Sequence, residues 1–275
     1  MYKYKIVASD LDGTLLNNDS KISENNKNAI ADLHKKGIFF VPATGRTFRE
    51  ILPELKSNDN IRFIMHTNGA VIHDKQTGEH ILNCMDSELV CETFDILCEY
   101  DTHIGIRSEG NFYIDADRDN SERAAEHYKF TDAHLLCIKN FAIEMKNFKE
   151  WVRTAKNVED FALYFATEEE LAECCARLEK DCRIKIAKFP PKGLEIFSAN
   201  AGKGRALHLL ADKLGVDYAD TIAVGDSMND YTMIEAAGLG LGVSNAMDEL
   251  KLICDKIICS NEEGVIDFIN KTYFN

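Results

Sequence analysis

The chain has 275 residues, of which 45% are hydrophobic and 28% charged, and a formal net charge of -14 at pH 7. That length suits about two domains, the composition excludes a disordered chain, and the acidic balance argues against a nucleic-acid partner, whose phosphates need clustered Lys and Arg. No apolar run reaches membrane-spanning length and the start, MYKYKIVASD, lacks a signal peptide's apolar core, so the expectation is a cytosolic protein with no membrane partner.

The first element is the apolar run Ile6 to Ala8, which leads straight into Asp10, Asp12 and Gly13. Two carboxylates this close repel each other, so such a pair is given a cation or different protonation states. On an extended segment residues two apart face the same way, which aims Asp10 and Asp12 into one site. A helical pattern with Ile22, Ala29, Ile30 and Leu33 follows, stopped by Gly37. The run IFFVPATGR is a second strand ending in a turn; a helix around Phe48, Ile51, Leu52 and Leu55 leads to a third, IRFIMHTNGA. Near-continuous apolar strands alternating with helices predict a doubly wound parallel sheet, a Rossmann-like α/β core, whose ligand sits beyond the carboxyl ends of the strands.

From about residue 80 short alternating segments replace this pattern. THIGIRSEGNFYID is predicted as a hairpin and DFALYFA as a strand, with helices over 86–100, 146–156 and 168–180. This predicts an inserted α+β domain at 84–188, with FPPKG (189–193) as the return hinge, between core segments 1–83 and 189–275. After the hinge GLEIF is read as a core strand, GKGRALHLLADKLG as a helix, TIAVGDSMND as a strand running into a polar turn, and GLGLGV as a short strand. Gly238, Gly240 and Gly242 do not form G-x-G-x-x-G and no Walker motif is present, which disfavours nucleotide cradling by those routes.

Three strand ends therefore carry chemistry. The first holds Asp10 and Asp12, suited to a hard cation such as Mg²⁺. The second, TGR, offers the Thr44 hydroxyl and the backbone N–H groups from Gly45 onward to an anion. The third, GDSMND, brings Asp226, Asn229 and Asp230, while Lys203, between Gly202 and Gly204, places a positive charge at a helix start suited to phosphate. A nucleophile, a metal and positive groups for the equatorial oxygens are what phosphoryl transfer needs. Nine cysteines, an odd count without zinc-finger spacing, read as reduced thiols. His66, His73, His103 and His134 have no ligand-like spacing and read as structural or exposed; Arg107, Glu109, Phe112 and Tyr113 read as sheet packing and surface, with the lining of a pocket in the inserted domain left open. For Arg46, phosphate binding and a salt bridge within its own helix stay open.

DLDGT (10–14), ATGR around Thr44, AGKG around Lys203 and GDSMND (225–230), in that order and with a wide gap after the second, resemble the four motifs of the haloacid dehalogenase superfamily. The resemblance spans the full length and is nearest to the Cof-like sugar phosphatases with a type IIB cap. It implies that Asp10 is the nucleophile that forms an aspartyl-phosphate and Asp12 the acid and base. Mg²⁺ would be held by the Asp10 carboxylate, the Asp12 backbone carbonyl and the Asp226 carboxylate. Thr44, Gly45, Lys203 and Asn229 would bind the phosphoryl group, Asn229 and Asp230 would support metal and lysine, and Asn68 and Gly69 would contact substrate. The implied activity is hydrolysis of a small phosphorylated metabolite, a sugar phosphate first, with the inserted domain as a cap that excludes water and sets specificity. A sugar-phosphate mutase using the same intermediate and a non-enzymatic phospholigand sensor stay open, and the oligomeric state is not legible.

Overall fold

The computed structural model describes residues 2–116 and 121–275. Its strands, in chain order, are β1 (Ile6–Ser9), β2 (Phe39–Pro42), β3 (Phe63–His66), β4 (Val71–Asp74), β5 (His80–Leu82), β6 (Thr102–Ser108), β7 (Asn111–Asp115), β8 (Ala142–Met145), β9 (Val158–Phe165), β10 (Ile184–Phe189), β11 (Gly193–Ser198), β12 (Thr221–Gly225), β13 (Leu239–Gly242) and β14 (Lys256–Ile257). They form two compact units. The first comprises the residues up to Gly45, Ile51–Ile81 and Gly202–Asn275; the second comprises Arg46–Glu50 and Leu82–Ala201.

The first unit is the predicted α/β core. Its sheet runs β14-β13-β12-β1-β2 with parallel pairing throughout, and β1 lies between β12 and β2 with Ile6 opposite both Thr221 and Phe39. Ile6, Val7, Ala8, Phe40, Val41, Ile222, Ala223 and Val224 are all buried, as strands covered on both faces require. This register brings the carboxyl ends of β1, β2 and β12 side by side. The helix Glu24–Lys35 starts where Ser23 accepts from the Asn26 N–H, and it buries Ala29, Ile30 and Leu33 as its apolar period predicts. Beyond β2, Ala43 bridges in parallel to Met65 of β3, which then turns into an antiparallel arrangement with β4 and β5. The helix expected around Phe48 to Leu55 is instead a 3₁₀ turn, Phe48–Glu50, and a short helix, Pro53–Lys56. Pro53 has no N–H to extend a helix begun before it, and it disfavours helical backbone at Leu52.

The second unit is a cap with its own six-stranded sheet, β10-β11-β9-β6-β7-β8. On one face Ile104, Ile106, Phe161, Leu163, Phe165, Leu194 and Ile196 pack with the helices Ser87–Leu97, Phe148–Val152 and Glu168–Leu178. The opposite face, with Phe112, Ile114, Ala162 and Tyr164, packs against Tyr128, Phe130 and Ile138. The predicted β6–β7 hairpin is present, turning at Glu109 and Gly110, both at positive φ.

Two expectations are corrected here. FPPKG is not a return hinge but the turn of a hairpin, since Phe189 pairs with Gly193 across it. GLEIF is accordingly not a core strand: it is β11, antiparallel to both β10 and β9. A short apolar run says only that a strand is buried, not in which sheet. The second unit thus begins at Leu82 and ends at Ala201, not at 84 and 188, with Arg46–Glu50 added to it. Among the described residues no helix is long and apolar enough to cross a membrane.

Candidate active site

The site is built at the ends of β1, β2 and β12 with the start of the helix Lys203–Leu214. Asp10 directly follows β1; its N–H donates to the Val224 carbonyl at 3.0 Å, and the residue is only 4% exposed. Its carboxylate accepts from Lys203 Nζ at 2.6 Å, and the same ammonium donates to Asp230 Oδ1 at 2.6 Å. Lys203 and Asp230 are both fully buried, so this lysine is no surface side chain. Asp230 is held in turn by the backbone N–H groups of Asp226 and Ser227, at 3.0 and 3.2 Å from its Oδ2. Ser227 and Asp230 also form a capping box, so Asp230 shapes the turn and positions the lysine together.

Asp226 completes the group, accepting from Thr14 Oγ1 at 3.2 Å. Carboxylate oxygens of Asp10, Asp226 and Asp230 lie within 4.8 Å of one another. At Gly13, φ is +81° and a Cβ would stand 2.5 Å from Asp226 Oδ2, so both the backbone and the carboxylate's approach exclude a larger residue.

Burial pushes the Asp10 carboxyl well above the usual carboxylate range, and Asp230 and Asp226 add to this against the pull of Lys203. For Lys203 burial disfavours the charge, but Asp10 and Asp230 outweigh it and hold the ammonium above its ordinary value. Asp226 is raised to about 6 by burial and by Asp230. Three acids crowded around one buried cation leave an excess of negative charge and a set of hard oxygen donors, the chemistry that a Mg²⁺ ion fits.

The second strand end adds backbone. Thr44 is buried; its N–H donates to the Met65 carbonyl at 3.0 Å and its carbonyl accepts from Asn68 N–H at 2.9 Å. Gly45 lies against the Asn68 amide, which accepts from Asn229 Nδ2 at 3.4 Å, while Asn229 Oδ1 accepts from Ser227 Oγ at 2.7 Å. Gly69, at φ +83°, brings its Cα so close to Gly202 that a Cβ would meet the Gly202 carbonyl at 2.5 Å. Thr44, Gly45, Asn68, Gly69, Lys203, Asp226, Asn229 and Asp230 are thus drawn together from segments far apart in sequence.

Asp12, the other acid of the predicted pair, stands beyond the end of β1. The strand ends at Ser9 and the chain turns at Leu11; Asp12 is exposed, and the cluster of three carboxylates is made by Asp10, Asp226 and Asp230. Arg46 donates to the Glu50 carbonyl at 3.3 Å. Arg107 lies between Asp160 and Glu195 in the cap, and Phe112 and Tyr113 pack in its sheet, Tyr113 at 4.6 Å from Trp151. Sequence reasoning missed Thr14, which holds Asp226, and Asn245, whose Nδ2 donates to the Gly13 carbonyl at 2.8 Å. The first was available beside Asp12 in DLDGT; the second lies in a loop without any motif.

Residues 7–269 match the family described as haloacid dehalogenase-like hydrolase. The chain belongs to the haloacid dehalogenase-like hydrolases. Among curated proteins, this hydrolase is 30% identical over 265 residues to the 5-amino-6-(5-phospho-D-ribitylamino)uracil phosphatase YcsE of Bacillus subtilis (strain 168), covering 95% of this chain and 92% of that one. It is likewise 30% identical over 282 residues to the phosphatase of the same description, YwtE, of that organism, covering 97% of each. A solved haloacid dehalogenase-like hydrolase from Bacteroides thetaiotaomicron, 26% identical, superposes with a TM-score of 0.79 over 98% of this chain and 99% of that one. This haloacid dehalogenase-like hydrolase is accordingly a phosphatase acting on a small phosphorylated substrate.

Proposed function

We propose that the enzyme is a Mg²⁺-dependent phosphomonoesterase for phosphorylated sugars or sugar alcohols, working in the cytosol through an aspartyl-phosphate on Asp10. The observation that carries this reading is the buried Lys203 ammonium shared at 2.6 Å by Asp10 and Asp230 beside Asp226. It pairs a nucleophile with a fixed positive charge where a phosphoryl group needs both.

Asp10, Asp226 and the Asp12 backbone carbonyl would hold Mg²⁺, which on binding supplies charge neutralisation for the phosphoryl oxygens. The Asp10 carboxylate oxygen attacks phosphorus and the ester P–O bond breaks. Asp12 donates its proton to the departing alcohol oxygen, then takes one from the water that attacks the aspartyl-phosphate and returns Asp10 and free phosphate. Its exposure suits that exchange of protons. Lys203 keeps Asp10 in position and offers its charge to the phosphoryl oxygens, Thr44, Gly45 and Asn229 contribute further donors, and Asp230 anchors the lysine. Asn68 and Gly69 contact the substrate beyond its phosphate.

Two relatives are named for a substrate whose phosphate sits on a ribityl chain, and this supports a phosphorylated polyol or sugar here. The test is phosphate release from a panel of sugar, polyol, nucleotide and aryl phosphates, with and without Mg²⁺. Metal-dependent release that is highest on sugar or polyol esters and lost in Asp10→Asn is expected. Release undiminished in clean Asp10→Asn would overturn the nucleophile, and an isomeric sugar phosphate in place of free phosphate would make the enzyme a mutase.

A further inference from the structure

His73 and His80 are seven residues apart, yet the fold sets them opposite one another on β4 and β5. The hairpin between them is held firmly. The Asp74 N–H donates to the Glu79 carbonyl at 2.9 Å and the Gly78 N–H to the Asp74 carbonyl at 2.8 Å. Arg62 grips the Asp74 carboxylate with Nε at 3.1 Å and Nη2 at 2.8 Å. The outcome is two imidazoles with centroids 4.6 Å apart and planes inclined by 41°, whose nearest atoms, His73 Nδ1 and His80 Nε2, are 2.5 Å apart.

Two ring N–H groups cannot point at each other, so at least one of these nitrogens presents a lone pair to its neighbour. Burial, and next to it His80, lowers the proton affinity of His73, with Lys75 acting in the same direction and Asp74 against it. Glu79, the remaining charged residue of the turn, is engaged by Lys213 at 3.2 Å. His73 is half-buried and His80 exposed, so solvent reaches the pair from one side.

We propose that His73 and His80 form a second cation site, distinct from the acidic cluster, which binds one borderline transition-metal dication such as Zn²⁺, Cu²⁺ or Ni²⁺ and does not bind Mg²⁺. Imidazole nitrogens suit these ions at about 2.0–2.1 Å, whereas Mg²⁺ demands oxygen. With two ligands at that distance the nitrogens stand about 3 Å apart, so on binding the rings turn from facing each other to facing the ion between them. Among the described residues the acidic triad is the one group with three or more clustered ligands, so the histidine pair supplies two and water completes the shell. Such a site exchanges its ion readily. It is an open site and not a structural one, since structural zinc is enclosed by four protein ligands.

The test uses the full chain stripped of metal and then kept in excess Mg²⁺, which occupies the carboxylates. Calorimetric titration with Zn²⁺ is expected to show one ion bound, with affinity falling about a hundredfold in His73→Ala and in His80→Ala, because the second imidazole of a chelating pair acts at a high effective concentration. With Cu²⁺, the paramagnetic resonance spectrum should show coupling to two ring nitrogens in the parent chain and to one in His80→Ala, a substitution at an exposed position that leaves the circular dichroism unchanged. Zn²⁺ binding of equal strength in both variants, or Zn²⁺ displaced by added Mg²⁺, or no binding by the parent chain, would overturn the proposal. None of these results bears on the phosphatase reading.

Discussion

Each unit sets a cation between two carboxylates, and the two clusters differ in where their acids stand on the strands. In the core, Lys203 lies 2.6 Å from Asp10 and from Asp230; in the cap, Arg107 lies 2.8 Å from Asp160 and from Glu195. The core acids follow strand ends, where backbone N–H groups are free to turn inward, and two of these hold Asp230 Oδ2. The cap residues sit within strands, whose amides are committed to the ladder, and Arg107 Nε and Asp160 Oδ1 are buried without hydrogen-bond partners. Burial, with Glu195 adding to it, pushes Asp160 up to about 7 against the pull of Arg107, just as burial raises Asp10 in the core. The core adds a third, partly exposed acid, Asp226, and is suited to shed its excess negative charge by taking a metal. What separates the two clusters is position in the strand, not residue type.

The comparison can be broken most forcefully at the two cations. Lys203→Met and Arg107→Met each strand buried carboxylates, and each should cost about 3–5 kcal/mol in urea unfolding at pH 7. Acid should relieve both variants, since burial raises Asp10 as well as Asp160, whereas added Mg²⁺ at pH 7 should relieve only Lys203→Met, whose carboxylates include the acidic triad. Equal relief of both variants by Mg²⁺ would deny the proposed difference.

Asp160 itself tests the sign. Folded, it holds its proton up to about 7, while the unfolded chain releases it near the usual 3.8, so the native state loses stability as pH rises between these values. Asp160→Asn lacks this loss. Its stability relative to the parent should therefore rise by about 1–3 kcal/mol between pH 4 and pH 7.5; a falling difference would show that the charged Arg107–Asp160 pair is favourable as it stands.

Backbone closeness sharpens the core side. Gly69→Ala forces a Cβ to 2.5 Å from the Gly202 carbonyl at positive φ, and should cost about 2 kcal/mol and displace Lys203, whose helix begins there. Turnover falling in proportion to the loss of folded protein, with none beyond it, would remove that link to the site.

The smallest effect is expected at the Arg62–Asp74 pair, away from both clusters. Arg62, more than the burial that opposes it, holds Asp74 down at about 2, so the pair's stabilisation is complete above the usual 3.8 and is lost as pH falls toward 2. With Arg62 partly exposed, Asp74→Asn should cost about 1 kcal/mol at pH 7 and nothing at pH 2. A cost that persists at pH 2 would assign it to packing.

Much of the core was legible because its local and global signals agree. The apolar strand runs, the stop at Gly37 and the polar strand ends of DLDGT, ATGR and GDSMND all appear where expected. The cap was legible as a change of texture but not in its edges: β11 reads as any buried strand does, and only its antiparallel partners β9 and β10 place it. Asn245 and the His73–His80 pair carried no signal at all, since each meets its partner across a loop or a hairpin.

By itself the sequence determined that the chain alternates strand and helix, that an unlike domain interrupts it, and which acids, threonine and lysine stand at the turns, because these follow from local periodicity and from motif order. Only the tertiary structure decided that Asp10, separated by 193 residues from Lys203, shares its ammonium with Asp230, that Arg107 is neutralised within the cap, and that two histidines face each other. Those outcomes depend on strand register and burial, which set the distance between charges and the dielectric around them, and neither quantity is carried by any single stretch of chain.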